Sequence, residues 1–264
     1  TTFAFNQHSA KVMKQGIGEL IKTLFSIPKT AKQIKRLQEK GYPVKNVLDL
    51  ISNDNNTHTV VYTSPEFQPC SETFSDKYAF VGPSIRPATD RIEKTRKKLV
   101  YISMGTVNND MMEFYRNCIA ALANTDHQAI LSVGHLVSLE AFDALPENIS
   151  VFPHVDQIAV LQQADVFVSH CGMNSVSESL YFGVPLVMLP QTAEQSGVAE
   201  RVNQLGAGIR LERSDASSIL SAINRIFAER TYAENAAELA KGFRRCPGAK
   251  GAADKIIQVC SNTE

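Results

Sequence analysis

The chain has 264 residues, of which 44% are hydrophobic and 20% charged, enough for one large domain or two modest ones. Its 27 basic and 27 acidic residues give a formal net charge of zero. This balance disfavours a nucleic-acid-binding surface and a polybasic membrane patch, because both need an excess of basic charge. No apolar run reaches the roughly 18 residues of a membrane-spanning helix, and no basic-then-apolar signal layout opens the chain.

The five cysteines favour a reducing compartment. They are odd in number and scattered, without a CxxC pair or the spacing of a zinc site. This usage is typical of free thiols, so we predict a cytoplasmic protein.

The first 81 residues contain few recognisable elements. Residues 9–40 have the pattern of helical segments interrupted at Pro28, and Val60 to Thr63 are typical of a short strand. One or two strands are too few for a complete doubly wound sheet. The polar stretch over residues 82–98 then predicts a linker.

From Lys98 onward, strand-like and helix-like segments alternate. The predicted strands are 99–104, 127–133, 149–154, 164–169, 184–189 and 206–211, and the predicted helices are 108–123, 138–144, 156–163, 173–182, 194–204 and 214–229. Six such βα units predict an α/β fold with a doubly wound parallel sheet. Ligands bind these sheets beyond the carboxyl ends of the strands. Polar residues that follow the predicted strands, at 103–106, 154, 170 and 191–195, are therefore expected to meet at one edge.

Residues 164–195 carry the strongest functional pattern. An apolar strand, Val166 to Val168, leads to His170 and the small-residue turn Cys171-Gly172, which opens into a helix. A helix start exposes unpaired backbone N–H groups and a partial positive charge, so it favours phosphate. Glu178, one turn after Asn174, shares its face and can accept two hydrogen bonds from a ribose diol. The pattern therefore predicts a nucleotide site.

Eleven residues in this region resemble the donor-binding signature of UDP-dependent glycosyltransferases with the GT-B fold, especially the bacterial macrolide-type and plant secondary-product enzymes. They are Gln157, His170, Gly172, Asn174, Ser175, Glu178, Gly183, Pro185, Pro190, Glu194 and Gln195. Residue types in register over such a span are a more specific signal than a lone Gly-rich loop. The similarity extends from the segment 99–106 to a C-terminal helix that contains Gly251 to Asp254.

The resemblance implies a GT-B-like architecture in three parts. These are a partial N-terminal acceptor domain at 1–81, a linker at 82–98, and a complete, Rossmann-like donor-binding domain at 99–264. Members of the family keep their catalytic base, a His, in a Gly-His loop near the start of the acceptor domain. We expect this chain to begin partway through that domain, because residues 1–81 show only one or two strands and Thr1 to Phe5 resemble an interior piece of it. None of His8, His58, His127 or His135 lies in a comparable loop. The catalytic residue is therefore unassigned.

For the phosphates, the resemblance implies contacts from two loops. Ser103, Gly105 and Thr106 are expected at the distal phosphate, where the glycine lets the backbone approach closely. His170 is expected to donate a hydrogen bond to the pyrophosphate. The neighbouring helix start is expected to contact the same group through Gly172, Asn174 and Ser175. Helix capping is the alternative role for these small polar residues.

The remaining donor contacts are expected in order along a UDP-sugar, from the base through the ribose to the hexose. His154 stands where relatives place Trp or another aromatic residue against uracil, and Val155 offers its backbone to the base edge. Since imidazole is a smaller stacking surface, thymidine stays an alternative to uridine. Gln157 is expected at the nucleoside and Glu178 at the ribose. Glu194 and Gln195 are expected to bind hydroxyls of the transferred hexose.

Together these roles imply an inverting transfer of a hexose from a UDP-sugar to a hydroxyl of a small lipophilic acceptor. Glucose is the hexose that we expect. The UDP-sugar is the donor substrate, and neither a cofactor nor a metal is expected. Two alternatives stay open: a non-catalytic nucleotide-sugar-binding subunit or fragment, and a UDP-N-acetylglucosamine 2-epimerase, which needs more carboxylates and histidines around the sugar. With an incomplete acceptor domain, we expect donor binding without transfer, and self-association or binding of an N-terminal partner half.

Overall fold

The computed structural model describes residues 3–4, 6, 9, 28–42, 44, 57–106 and 109–261. His8, residues 10–27 of the predicted helical region and residue 108 of a predicted helix lie outside these ranges. Helix α1 spans Pro28–Glu39. Over the described ranges, no helix has the length and apolarity needed to cross a bilayer.

A small parallel sheet precedes the linker. Strand β1 spans Thr59–Val61 and pairs with β2 at Tyr78–Phe80. Val61 and Tyr78 are buried and pack with Ala4. The short strand predicted at residues 60–63 is confirmed, one residue earlier.

The main sheet has six parallel strands, which confirms the predicted doubly wound α/β fold. In space their order is β5-β4-β3-β6-β7-β8, so the direction of winding reverses between β3 and β6. Both faces are covered, and all four residues of β6 are therefore buried. The strands are β3 Lys98–Ser103, β4 His127–Ser132, β5 Ile149–Phe152, β6 Val166–Ser169, β7 Leu186–Met188 and β8 Gly208–Arg210.

Seven helices follow α1 in the described residues, and they confirm all but one of the predicted helices after the linker. They are α2 Met112–Leu122, α3 Gln157–Leu161, α4 Met173–Tyr181, α5 Ala193–Gln204, α6 Ala216–Ala228, α7 Arg230–Arg245 and α8 Gly248–Ser261. The helix predicted at 138–144 is wrong, since only a 3₁₀ turn, Leu139–Ala141, forms there. Ser138 forms no side-chain capping bond at the start of this segment, unlike Asp156 at α3, and Phe142 leaves the turn in an extended conformation to pack on the core.

Alternating strand residues build one core on each face of the sheet. Tyr101 and Phe167 belong to the core on one face, and Ile102 and Val168 to the core on the other. Phe67, from before the linker, joins the first core and packs against a phenylalanine of α7 at 5.7 Å between ring centroids. Residues on both sides of the linker therefore share one hydrophobic core.

The linker is held against the start of α3. Arg86 donates to Asp156 at 2.6 Å, and the Thr89 N–H donates to the other oxygen of that carboxylate at 2.6 Å. Asp156 also caps α3 by accepting from two N–H groups of its first turn. The hydrogen bond from Arg86 is the main cause that holds the pKa of Asp156 well below its usual range. This ion pair fixes the position of Gln157, the next residue. The boundaries of the three predicted parts stay a prediction.

Candidate nucleotide-sugar site

A cavity of about 930 Å³ opens at the carboxyl edge of the main sheet. It lies where the winding reverses between β3 and β6, the position at which open α/β sheets bind ligands. All but one of the predicted donor-binding residues line it: Ser103, Gly105, Thr106, His154, Val155, Gln157, His170, Gly172, Asn174, Ser175, Glu178 and Glu194. The structure therefore brings together residues from four separate strand-to-helix connections.

His170 lies between two glycines. A Cβ atom on Gly105 would stand 2.6 Å from its ring, and one on Gly172 would stand 2.6 Å from its Nε2 atom. Gly105 also has a φ of +83°, which side chains rarely adopt. Both positions are thus reserved for glycine by the imidazole itself. Gly105 is therefore favoured for two reasons: the close approach to phosphate expected from the sequence, and the lack of space for a side chain beside the imidazole.

The environment of His170 favours the neutral form of its ring. Burial lowers the pKa of His170, and the Ser103 backbone offsets this only in part. The Nδ1 atom is buried and has no partner with hydrogen-bond geometry among the described residues. A neutral imidazole retains one N–H donor, which is sufficient for a hydrogen bond to a phosphate oxygen.

The turn after His170 presents the start of α4 to the cavity. Cys171 is fully buried and has a φ of 65°, a strained conformation for a residue with a side chain. Gly172 occupies the N-cap position of α4, and no side chain of the described residues caps this end. Capping by Asn174 or Ser175 is therefore not observed, and the first N–H groups of α4 are left for a ligand, in the manner of helix starts that bind phosphate.

Glu178 points into the same cavity from the next turn of α4. Its Oε2 atom accepts a hydrogen bond of 2.5 Å from Gln157 Nε2. Burial raises the pKa of Glu178, although the hydrogen bond from Gln157 opposes the shift. The carboxylate is half-buried and paired on one side, which differs from an ordinary solvated helix face. Its remaining acceptor positions suit a ribose diol.

The other predicted residues that line the cavity come from the loop after β5 and from α5. His154 is exposed and Val155 buried on the loop after β5, near Arg86 of the linker, which also lines the cavity. Glu194 is exposed at the start of α5. The order of base, ribose and sugar contacts along the cavity stays a prediction.

Gln195 is the predicted residue that the structure does not bring into the cavity. Its amide oxygen accepts from the N–H groups of Gln191 at 2.8 Å and Thr192 at 3.2 Å. In return, Thr192 Oγ1 accepts from the Gln195 N–H at 3.3 Å. This reciprocal pair is a capping box at the start of α5. The contact predicted between Gln195 and the sugar therefore gains no support from its placement.

Sequence reasoning missed several residues that line the cavity. Asn109 donates to the Gly105 carbonyl at 3.0 Å and lies against Gly134, so it joins the loops after β3 and β4. In the sequence, the signal available for Asn109 was its position between the glycine turns at Gly105 and Gly134. The other residues missed are Arg86, Tyr101, Ser132, Gly134, His135, Leu136, Pro153, Ile158 and Met173. Within the described ranges, no group of three or more His, Cys, Asp or Glu side chains is arranged to hold a metal ion.

The fold defines an α/β protein of the GT-B class, with a cavity at the carboxyl edge of its main sheet. Residues 116–259 match the family described as Erythromycin biosynthesis protein CIII-like, C-terminal domain. Because this match covers more than half of the chain, the chain belongs to that family, within the macrolide-type UDP-glycosyltransferases. The resemblance found in the sequence is confirmed.

Individual relatives agree with this assignment. The chain is 34% identical over 272 residues to the uncharacterized UDP-glucosyltransferase YojK of Bacillus subtilis, covering 98% of this chain and 66% of that protein. It is 35% identical over 240 residues to the NDP-glycosyltransferase YjiC of Bacillus licheniformis, covering 88% of this chain and 60% of that protein. The crystal structure of the glycosyltransferase of kitacinnamycin matches with a TM-score of 0.81 and 27% identity, over 97% of this chain and 68% of that one. The chain thus spans less than two thirds of the length of both curated relatives.

Proposed function

We propose that this chain binds the donor of a UDP-dependent hexosyltransferase. The reaction is the inverting, metal-independent transfer of a hexose, with glucose as the preferred sugar, to a hydroxyl of a small lipophilic acceptor. One observation carries the proposal: the His170 ring, the uncapped start of α4 and the Gln157–Glu178 pair all face one cavity. The names of the two curated relatives support nucleotide-sugar chemistry.

The mechanism concerns the leaving diphosphate. As the bond to the anomeric carbon breaks, negative charge grows on the phosphate oxygens. His170 and the N–H groups at the start of α4 stabilise this charge more in the transition state than in the ground state. The acceptor hydroxyl attacks from the opposite side, which inverts the anomeric centre. It passes its proton to a general base that is not assigned here.

The nucleotide is recognised at two points. Glu178 accepts hydrogen bonds from the ribose diol, while the Val155 backbone and the His154 ring receive the base. Backbone recognition of a base edge needs no particular side chain, so uracil is the preferred base and thymine the second. A 2-epimerase is the weaker candidate, since the relatives above are named as glycosyltransferases. Self-association and an N-terminal partner half stay predictions.

Calorimetry of the full chain with UDP, TDP and ADP is expected to rank UDP first. TDP is expected to bind about tenfold or more weakly than UDP, because thymidine lacks the 2′-hydroxyl for Glu178 and a hydrogen bond to a charged group contributes about 1.5–3 kcal/mol. ADP is expected to bind most weakly, since the larger purine does not match a loop that fits a pyrimidine edge. Tightest binding of ADP would contradict the uridine assignment.

Glu194→Ala is expected to lower affinity for UDP-glucose by about tenfold and to leave affinity for UDP nearly unchanged. The reason is that an exposed carboxylate at the sugar end can hydrogen-bond hexose hydroxyls, which UDP lacks. Gln195→Ala is the matched control: it removes half of the capping box and should cost about 1 kcal/mol of stability without a selective loss of UDP-glucose. Equal losses of both ligands in Glu194→Ala would place Glu194 elsewhere.

A further inference from the structure

Tyr101 carries a hydroxyl that its packing role does not need. The ring is 1% exposed and stacks on Phe167 at 4.7 Å between centroids. Phenylalanine would make the same stacking contact. A buried hydroxyl costs free energy unless it forms a hydrogen bond, so its partner indicates what it does.

One partner is the amide of Gln157, and the side chains of Ser103 and Ser132 are the others. Tyr101 Oη donates to Gln157 Oε1 at 3.3 Å, and Gln157 Nε2 donates in turn to Glu178 Oε2. Burial raises the pKa of Tyr101, so the hydroxyl remains a donor at all ordinary pH values. A chain of two hydrogen bonds therefore runs from the buried strand β3 to the carboxylate in the cavity.

The chain selects one orientation of the Gln157 amide. In the opposite orientation, the amide oxygen would face the Glu178 carboxylate and the NH₂ group would face the Tyr101 hydroxyl. Because a carboxylate only accepts hydrogen bonds, Glu178 requires the NH₂ group of Gln157 on its side, where Nε2 also lies 3.5 Å from Ser175 Oγ. The amide oxygen is then left facing Tyr101, whose hydroxyl donates to it and so stabilises this orientation further.

We propose that Tyr101 is a positioning residue for nucleotide recognition: by fixing the Gln157 amide, it holds Glu178 with its free acceptor positions toward the ribose. The proposal rests on the assignment of Glu178 to the ribose diol. It adds a residue inside the sheet to the recognition of the nucleotide.

Tyr101→Phe tests the proposal, with calorimetry of UDP and 2′-deoxy-UDP on the full chain. The variant is expected to bind UDP about three- to tenfold more weakly, as one neutral hydrogen bond in a network is lost. The loss for 2′-deoxy-UDP should be smaller, because that ligand forms one fewer bond to Glu178. An unchanged affinity for UDP, or equal losses for both ligands, would overturn the proposal.

Two further variants separate positioning from general packing. Tyr115, also buried but on the opposite face of the sheet, supplies the control: Tyr115→Phe should leave both affinities unchanged. In a Gln157→Ala background, Tyr101→Phe should cause no further loss of UDP affinity, since the link to Glu178 is already broken. Additive losses would overturn the proposal even if Tyr101→Phe alone folds poorly.

A Glu178→Ala variant separates a failure of the ribose assignment from a failure of the positioning role of Tyr101. If Glu178→Ala leaves UDP affinity intact, the ribose assignment fails, and the role of Tyr101 fails with it. If Glu178→Ala weakens UDP and Tyr101→Phe does not, the ribose assignment stands and only the positioning role is overturned.

Discussion

Glu178→Gln is expected to weaken UDP binding by about ten- to a hundredfold without loss of folding stability. Hydrogen bonds to a charged acceptor contribute about 1.5–3 kcal/mol, and the neutral amide loses that charge. The substituted amide keeps an oxygen that can still accept from Gln157 Nε2, so the packing between α3 and α4 is preserved. Calorimetry with UDP measures the first effect and thermal unfolding of the ligand-free chain the second.

The pH dependence of stability gives this variant a second readout. Because burial raises the pKa of Glu178 in the folded chain, protonated Glu178 is the form that the fold favours. The resulting stabilisation is present below the unfolded pKa and is lost as pH rises through the folded one. Near neutral pH the ionised side chain therefore destabilises the fold, and Glu178→Gln should match or exceed the wild-type melting temperature.

Glu238, on α7, provides the matched control, since its side chain is 69% exposed and lies outside the cavity. Glu238→Gln should change neither the affinity for UDP nor the pH dependence of the melting temperature. If Glu178→Gln bound UDP as tightly as the wild type, Glu178 would be an ordinary helix residue without a role in the site.

His170→Ala is expected to weaken UDP by about ten- to a hundredfold while leaving uridine binding nearly unchanged. The imidazole is held between Gly105 and Gly172, where it faces the expected diphosphate, and uridine has no phosphate. Removing one donor aimed at developing charge typically lowers a catalytic rate by about a hundred- to a thousandfold. Where sugar transfer or UDP-glucose hydrolysis is measurable, the rate should therefore fall more than the affinity does.

His154→Ala is the matched comparison for this experiment. His154 is an exposed histidine of the same cavity, on the loop after β5 where we propose that the base binds, so its loss should weaken UDP and uridine by similar factors. Circular dichroism checks that both variants fold. Equal loss of uridine and UDP in His170→Ala would contradict the assignment of His170 to the diphosphate.

The sequence predicted the parallel sheet and its ligand-binding edge because those properties have local signals. Apolar strands such as Val166–Ser169 and the amphipathic helices between them repeat along the chain, and parallel strands connected by helices end at a common edge. The capping box of Thr192 and Gln195 also had a local signal, a Thr followed three residues later by Gln. The structure shows Gln195 in this capping box, and its contact with the sugar stays a prediction.

What the sequence by itself determined is therefore the set of chemical groups and the edge of the sheet that they share. Only the tertiary structure decided their pairings, because each joins residues far apart in the chain: Tyr101 to Gln157 across 56 positions, and Arg86 to Asp156 across 70. Such contacts depend on the order of strands in space, which places β3 beside β6 and sets α3 against α4. The same packing buries Glu178 and His170 and thereby shifts their pKa values, an effect that no local pattern encodes.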